Sequence, residues 1–176
     1  MAKALFITRD DIVKFTALNG NIDTDKFIQY IAIAQDIHLQ NYLGSKLFKK
    51  FNDGIVANNL TQTYKDLLSD YVKPMLIHWA MVEFLPFSAY TIANKGVFKH
   101  TSESATAVDK SEIDYLVEKE RSVANHYTTR FIDYMSYNQS KFPEYNLNSN
   151  GDMFPDHDAS FTGWVLTLLT FITLII

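Results

Sequence analysis

The run from Pro74 to Ala93 does most to restrict what this chain can fold into. After the proline it reads MLIHWAMVEFLPFSAYTIA, which is apolar on every side of a helix drawn through it. A helix with no polar face lies at the centre of a bundle or between subunits. His78, Glu83 and Pro86 interrupt the run, so it lacks the roughly twenty clean apolar residues of a membrane span. The pattern predicts a long central apolar helix surrounded by amphipathic ones.

The flanking sequence supplies those helices. Residues 4–8 (ALFIT) read as a short extended arm or strand, and Thr8 with Asp11 resembles a helix N-terminal capping pair. A short helix from Arg9 to about Ala17 is expected, broken at Asn19-Gly20-Asn21. Asp23 or Thr24 then caps a long helix in which Phe27, Ile31, Ala34 and Ile37 follow the 3.6-residue period. Gly44 stands where a helix C-terminus wants positive φ, and Ser45 can cap the next helix, which is expected to break near Asn52–Gly54 or end at Asn58. Tyr64, Leu67, Leu68 and Tyr71 form a further buried stripe, which Pro74 is expected to interrupt. Residues 94–111 are polar and read as a loop or small hairpin. A long helix from Ser111 to about Asn138 follows. The fold class is therefore all-α, a bundle of four to five helices with a body over 1–138. Residues 139–160 are rich in Asn, Asp, Ser and Pro and read as an irregular tether.

The tether leads to an apolar arm, residues 161–176. No charged side chain occurs from Ala159 to Ile176, and eleven of those eighteen residues are large and apolar. Such a segment has to be covered by the chain's own core, by a neighbouring chain or by lipid. As a helix, Trp164–Ile176 would span about 20 Å, against roughly 30 Å of hydrocarbon. Asp156 and Asp158 precede the segment where basic residues would flank an anchor. Its Val, Thr, Ile and Phe favour a strand, although Thr167, Thr170 and Thr173 would also line one side of a helix. We expect an extended arm that binds a partner through Phe161, Trp164, Leu166, Leu168, Phe171, Ile172, Leu174 and Ile176. The alternative is a membrane-associated protein using the segment as a weak anchor.

The chemistry-bearing residues assemble no reaction centre. The chain has no cysteine, which removes thiolate metal sites and disulfides. No zinc, phosphate-loop or nucleophile-elbow motif occurs. His78 and Glu83 are five apart, so one helix aims them in different directions. His78 is read as a hydrogen-bonded core or interface histidine. Residues 146–152 (NLNSNGD) mimic the start of a calcium loop, but Asn opens it and His157 stands where a bidentate Glu is required. A net charge of −4 with scattered Lys and Arg marks no nucleic-acid track. MAKALFITRDD meets charge too early for a secretory leader. No catalytic residue, metal or cofactor is expected.

Several segments carry a family resemblance in their order along the chain. They are ALFITRDDIVKFTALNGNID, FIQYIAIAQDIHLQNYLGSKLFKKF, DYVKPMLIHWAMVEFLPF, NKGVFKHTSES and FPEY. Together, over roughly residues 1–145, they resemble small helical head–tail connector (adaptor) proteins of tailed phages that infect Bacteroidetes, crAss-like phages included. The resemblance implies a virion protein forming a homo-oligomeric ring, usually of twelve subunits. The ring would sit beneath the portal protein, extend the DNA channel without specific DNA binding, and support a tail or second ring protein. The helix 24–43 ending in NYLG is similar to adaptor helices that line up side by side around such rings. The apolar run beyond Trp164 departs from the family pattern. No membrane is expected as a partner.

Overall fold

A computed structural model gives the fold, and it describes residues 3–16, 18, 24–88, 90–93, 96–99 and 109–158. Over these the protein is an all-α bundle with one two-stranded hairpin. α1 covers Arg9–Phe15, α2 Thr24–Ala34, α3 Gln40–Val56 and α4 Gln62–Leu67. α5 covers Lys73–Ser88, α6 Lys110–Asn138 and α7 Pro143–Asn146. β1 (Tyr90–Ala93) and β2 (Gly96–Lys99) pair antiparallel, with Tyr90 opposite Lys99 and Ala93 opposite Gly96.

α5 is the centre. Met75, Leu76, Ile77, Trp79, Ala80, Met81, Val82 and Phe84 are all buried, on every side of the helix. Burying each large side chain contributes about 1.5–3 kcal/mol before ordering costs. α6 packs along one flank of α5 and α2 along another. α6 presents Ala124, Thr128, Phe131 and Met135 to the core, one stripe at three- and four-residue spacing. The expected apolar helix is therefore present and central, but shorter than the sequence suggested. It ends at Ser88, and Tyr90-Thr91-Ile92 turn into the hairpin instead, as aromatic and β-branched residues favour once a helix has stopped.

Pro74 does not interrupt the helical path as expected. A π-turn, Leu68–Val72, joins α4 to α5, and the Lys73 amide reaches back to the Leu68 carbonyl. The extra residue widens the turn just where a proline ring would press on the carbonyl four residues earlier. A second π-turn, Gln35–Leu39, joins α2 to α3. It brings Gln35, which is fully buried, onto the N-terminal segment. The Gln35 side chain accepts from the Phe6 amide at 2.8 Å and donates to the Ala4 carbonyl at 3.1 Å. The ALFIT arm is thus tied to the bundle by a side chain that bonds its backbone as a neighbouring strand would. Thr8 and Asp11 form the anticipated capping box of α1.

The segment expected to be a loose tether is a built part of the body. Phe142 and Tyr145 are buried, and the chain from Glu144 to Asp156 runs back along α3. Glu144 lies 3.8 Å from Lys50. The Lys46 ammonium donates to the Leu147 carbonyl at 2.6 Å. Met153 exchanges bonds with Ser45, its carbonyl accepting from the Ser45 amide at 3.0 Å and its amide donating to the Ser45 hydroxyl at 2.8 Å. Asp156 donates its amide to the Asn41 carbonyl at 2.8 Å. The contacts proceed from residue 50 to residue 41, so the segment is antiparallel to α3. It docks through backbone groups that α3 leaves free where Gly44, at φ 70°, departs from helical geometry. The packed body therefore continues through Asp158, which corrects the tether reading over residues 139–158; residues 159 and 160 lie outside the described residues.

Candidate functional site

The flanks of α5 hold the concentrated polar chemistry of the bundle, two histidine–carboxylate pairs. On one side His78 of α5 meets Glu120 of α6, Nδ1 to Oε2, at 2.7 Å. On the other, Glu83 of α5 meets His38 of the Gln35–Leu39 π-turn, Oε1 to Nε2, also at 2.7 Å. The five-residue spacing does aim His78 and Glu83 at different neighbours. Each imidazole also lies flat on an aromatic ring. His38 stacks on Trp79, with centroids 4.0 Å apart and planes 11° from parallel. His78 stacks on Tyr127 at 5.3 Å and 6°.

Trp79 links this arrangement to α6. Its indole N–H donates to the Thr128 hydroxyl at 3.1 Å, and that hydroxyl donates to the Ala124 carbonyl at 2.8 Å. Both side chains are buried, and an indole left unpaired there would carry a desolvation penalty. Burial pushes the His38 imidazole below its ordinary value, outweighing the Glu83 carboxylate that favours the charged form. The neutral ring can still donate from Nε2 to Glu83.

A cleft of about 400 Å³ lies beside His78, lined by Asp11, Lys14, Phe15, Ser69, Lys73, Pro74, Ile77 and Tyr127 as well. Two of its charged groups, Lys73 and Asp11, partner each other. Lys73 donates to Asp11 at 3.0 Å, and His78 is held by Glu120. Burial alone would raise the Asp11 carboxyl, but the Thr8 amide and the Lys73 ammonium outweigh it and hold the carboxyl below the ordinary carboxylate range. A second cavity, about 290 Å³, lies between the N-terminal arm and α2 and is walled chiefly by Leu5, Ile7, Ile12, Phe27, Ile28 and Ile31. Its walls offer contact area with little polar chemistry.

The calcium-like loop spends its oxygens on protein. The Asp152 carboxylate accepts from the Ser149 amide and hydroxyl at 2.8 and 2.9 Å. The Asn148 side-chain oxygen, Oδ1, accepts from the Lys46 amide at 3.4 Å. Among the described residues no group of three His, Asp or Glu is placed to hold a metal ion, and no helix is long and apolar enough to cross a membrane. Every buried side-chain polar atom among them has a partner. The arm residues expected to bind a partner, from Phe161 through Ile176, lie outside the described residues.

Sequence inspection missed the histidine pairs because their partners are distant along the chain, 45 residues for His38–Glu83 and 42 for His78–Glu120. The readable hint was two polar residues, His78 and Glu83, inside an otherwise apolar helix.

A helical domain braced by internal side-chain hydrogen bonds, its polar groups satisfied by one another, is the class these features define. The chain belongs to a family of unknown function, DUF6712, whose sequence model matches residues 39–155. The match runs from the end of the Gln35–Leu39 π-turn to the segment docked on α3, so that segment belongs to the family domain. No curated protein and no solved structure matches the chain.

Proposed function

We propose that this protein is a non-enzymatic structural subunit, a head–tail connector that forms a ring beneath a phage portal. The observation that carries this reading is the placement of exposed large apolar side chains on separate elements. Phe15 lies on α1, Phe87 at the end of α5, Tyr115 and Leu116 at the start of α6, and Tyr137 at its end. A ring contact is heterologous, so each subunit needs two different sticky patches. Single apolar side chains are ordinary on a protein surface, so the reading requires those on different elements to join into two patches when subunits meet. The polar groups, in contrast, are used inside the bundle, as in a rigid building block. The mildly acidic charge suits a channel wall over which DNA slides. The apolar C-terminal arm offers a further contact, to a neighbouring subunit or ring.

Electron microscopy and mass photometry of the purified chain, with protein analysis of phage particles, test this reading. Closed rings are expected, weakened by Tyr115→Ser combined with Leu116→Ser. A chain that stays monomeric at every concentration and is missing from particles sinks the proposal.

A further inference from the structure

Two surfaces of the bundle each hold an exposed aromatic ring beside an unpaired charge, and the two charges are opposite. At the cleft beside His78, Phe15 is 58% exposed, and the Lys14 ammonium lies 5.3 Å from its ring centroid. Asp11 spends its charge on Lys73, while Lys14 has no carboxylate partner among the described residues. At the start of α6, Tyr115 is 70% and Leu116 is 45% exposed. Asp114 stands beside them with no cationic partner among the described residues. Glu118, one turn on, puts a second acid on the same flank of Tyr115, shared with Arg121 at 3.2 Å. Lys119 lies on the other flank.

The cleft has the volume, about 400 Å³, and the apolar walls, Phe15, Pro74 and Tyr127, to take an aromatic side chain. His78 lines it as well, and its Nδ1 is occupied by Glu120 at 2.7 Å. Nε2 is therefore the ring nitrogen left for an incoming group. With the proton on Nδ1 it accepts a hydrogen bond, and a phenol supplies the matching donor. Tyr115 cannot reach the cleft of its own chain. Tyr127, on the cleft wall, lies twelve residues further along the same helix, a distance of about 18 Å. Tyr115 is also nine residues, or about two and a half turns, from Ala124, so it points away from the buried stripe of α6. The two surfaces face different ways on one subunit, as a heterologous contact requires.

We propose that the cleft bounded by α1, the Leu68–Val72 π-turn, α5 and α6 receives the start of α6 from a second copy of this chain. Tyr115 of one copy packs on Phe15 of the next with its phenol directed to His78, and Asp114 meets Lys14. The contact rests on the ring reading above and names the two surfaces that join in it. A tyrosine brings large apolar area and a polar tip to an interface, and the charge pair fixes partner and register more than strength. Tyr137 is more exposed, at 87%. Asp133 and Lys141 stand four residues to either side of it, so it offers Lys14 no net opposite charge.

Lys14→Glu and Asp114→Lys change exposed positions and leave the core intact. In mass photometry of the full chain, either change alone should raise the concentration needed for assembly several-fold. The two combined in one chain should recover most of the loss, because every joint then meets the exchanged pair. Single variants that assemble like wild type, or a double variant no better than the singles added together, overturn this contact, while wild-type rings leave the ring reading standing. A wild-type chain that stays monomeric at every concentration overturns both. The absence of native cysteine allows a direct check that spares all four contact residues. Chains carrying Ser69→Cys and Lys119→Cys, mixed and treated with a short bismaleimide, should link to each other. No link in the mixture, or links within either variant alone, which would mean a two-fold contact, overturns the proposal. So does an equal yield when Tyr137→Cys replaces Lys119→Cys.

Discussion

The ring of Pro155 fills the space where a side chain at Gly44 would begin. Its Cδ and Cγ lie 2.9 Å from the position of a Cβ at residue 44, and the Met153 carbonyl oxygen lies 3.0 Å from it. Gly44 also holds φ at 70°, a backbone state that residues with a Cβ adopt at a cost. One glycine thus breaks the helix and admits the returning chain.

Gly44→Ala should destabilise the protein by about 1–3 kcal/mol, from strained backbone plus the clash. Hydrogen exchange will show where the loss falls. Amides of residues 153–156 should lose protection first, while α5 and α6 keep theirs. Uniform loss over the whole chain would mean that the docked segment and the bundle unfold as one unit.

Thr128→Val keeps the side-chain shape but takes away the acceptor for the Trp79 indole. A buried donor left without a partner costs about 1–3 kcal/mol. Thr128→Ser keeps the hydroxyl and should cost less than the valine variant. Urea unfolding of the two proteins decides. A valine variant as stable as wild type would show that the bond to Trp79 contributes nothing net.

Gln35→Leu removes both bonds to the N-terminal arm. The Phe6 amide and the Ala4 carbonyl then lack their side-chain partner, and about 1–3 kcal/mol should be lost. The Phe6 amide should exchange much faster with solvent, which mass spectrometry after deuterium labelling can read at peptide level. Unchanged exchange there would mean that apolar contacts alone hold the arm.

Acid should weaken the fold before its carboxylates titrate. The His38 imidazole is held below its ordinary value of 6.5, chiefly by burial. The unfolded chain therefore takes up a proton more readily than the folded one as pH falls through 6.5, and stability declines with it. The Asp11 carboxyl lies below its ordinary 3.8, so its contribution persists above that value and is lost further down. Thermal unfolding followed from about pH 8 to about pH 5 should show the decline. His38→Gln should flatten it, and a slope unchanged by the substitution would place the titrating group elsewhere.

The alkaline limb has a different origin. Burial, with a smaller contribution from Asp156, pushes the Tyr145 phenol up to about 12. The Tyr64 phenol is also raised, by burial first and then by its hydrogen bond to Glu144. A raised phenol stabilises the fold below its ordinary 10.0, and the benefit is lost as pH climbs from 10.0 toward the folded value. Tyr145→Phe should lose less stability than wild type between about pH 9 and about pH 11. Urea midpoints at the two pH values provide the comparison.

Local signals in the sequence are legible where one element determines them. The all-round apolar run places α5 at the centre, and Thr8 with Asp11 marks a helix start. Gly44 marks a break, and the stripe through Phe131 and Met135 marks the buried side of α6. The illegible part depends on partners far away along the chain. The π-turn before Pro74 is a tertiary accommodation, so local rules predict a break there. Residues 139–158 read as solvated because their Asn, Asp and Ser dominate the composition. Their attachment uses backbone groups, which composition does not reveal. Phe142, Tyr145 and Pro155 are the available signal, three buried residues in a polar stretch. The histidine pairs need both the curvature of α2 into α3 and the packing of α6 on α5.

The seam between Ser45 and Met153 joins positions 108 residues apart. Closing so large a loop is entropically expensive and slow compared with forming the local helices. We expect the seam to form late, after α3, α5 and α6 have built the surface it needs. A chain stalled before that step would present the free backbone at Gly44 and the bare side of α3 to its surroundings, which makes seam closure the moment at which this protein becomes finished material.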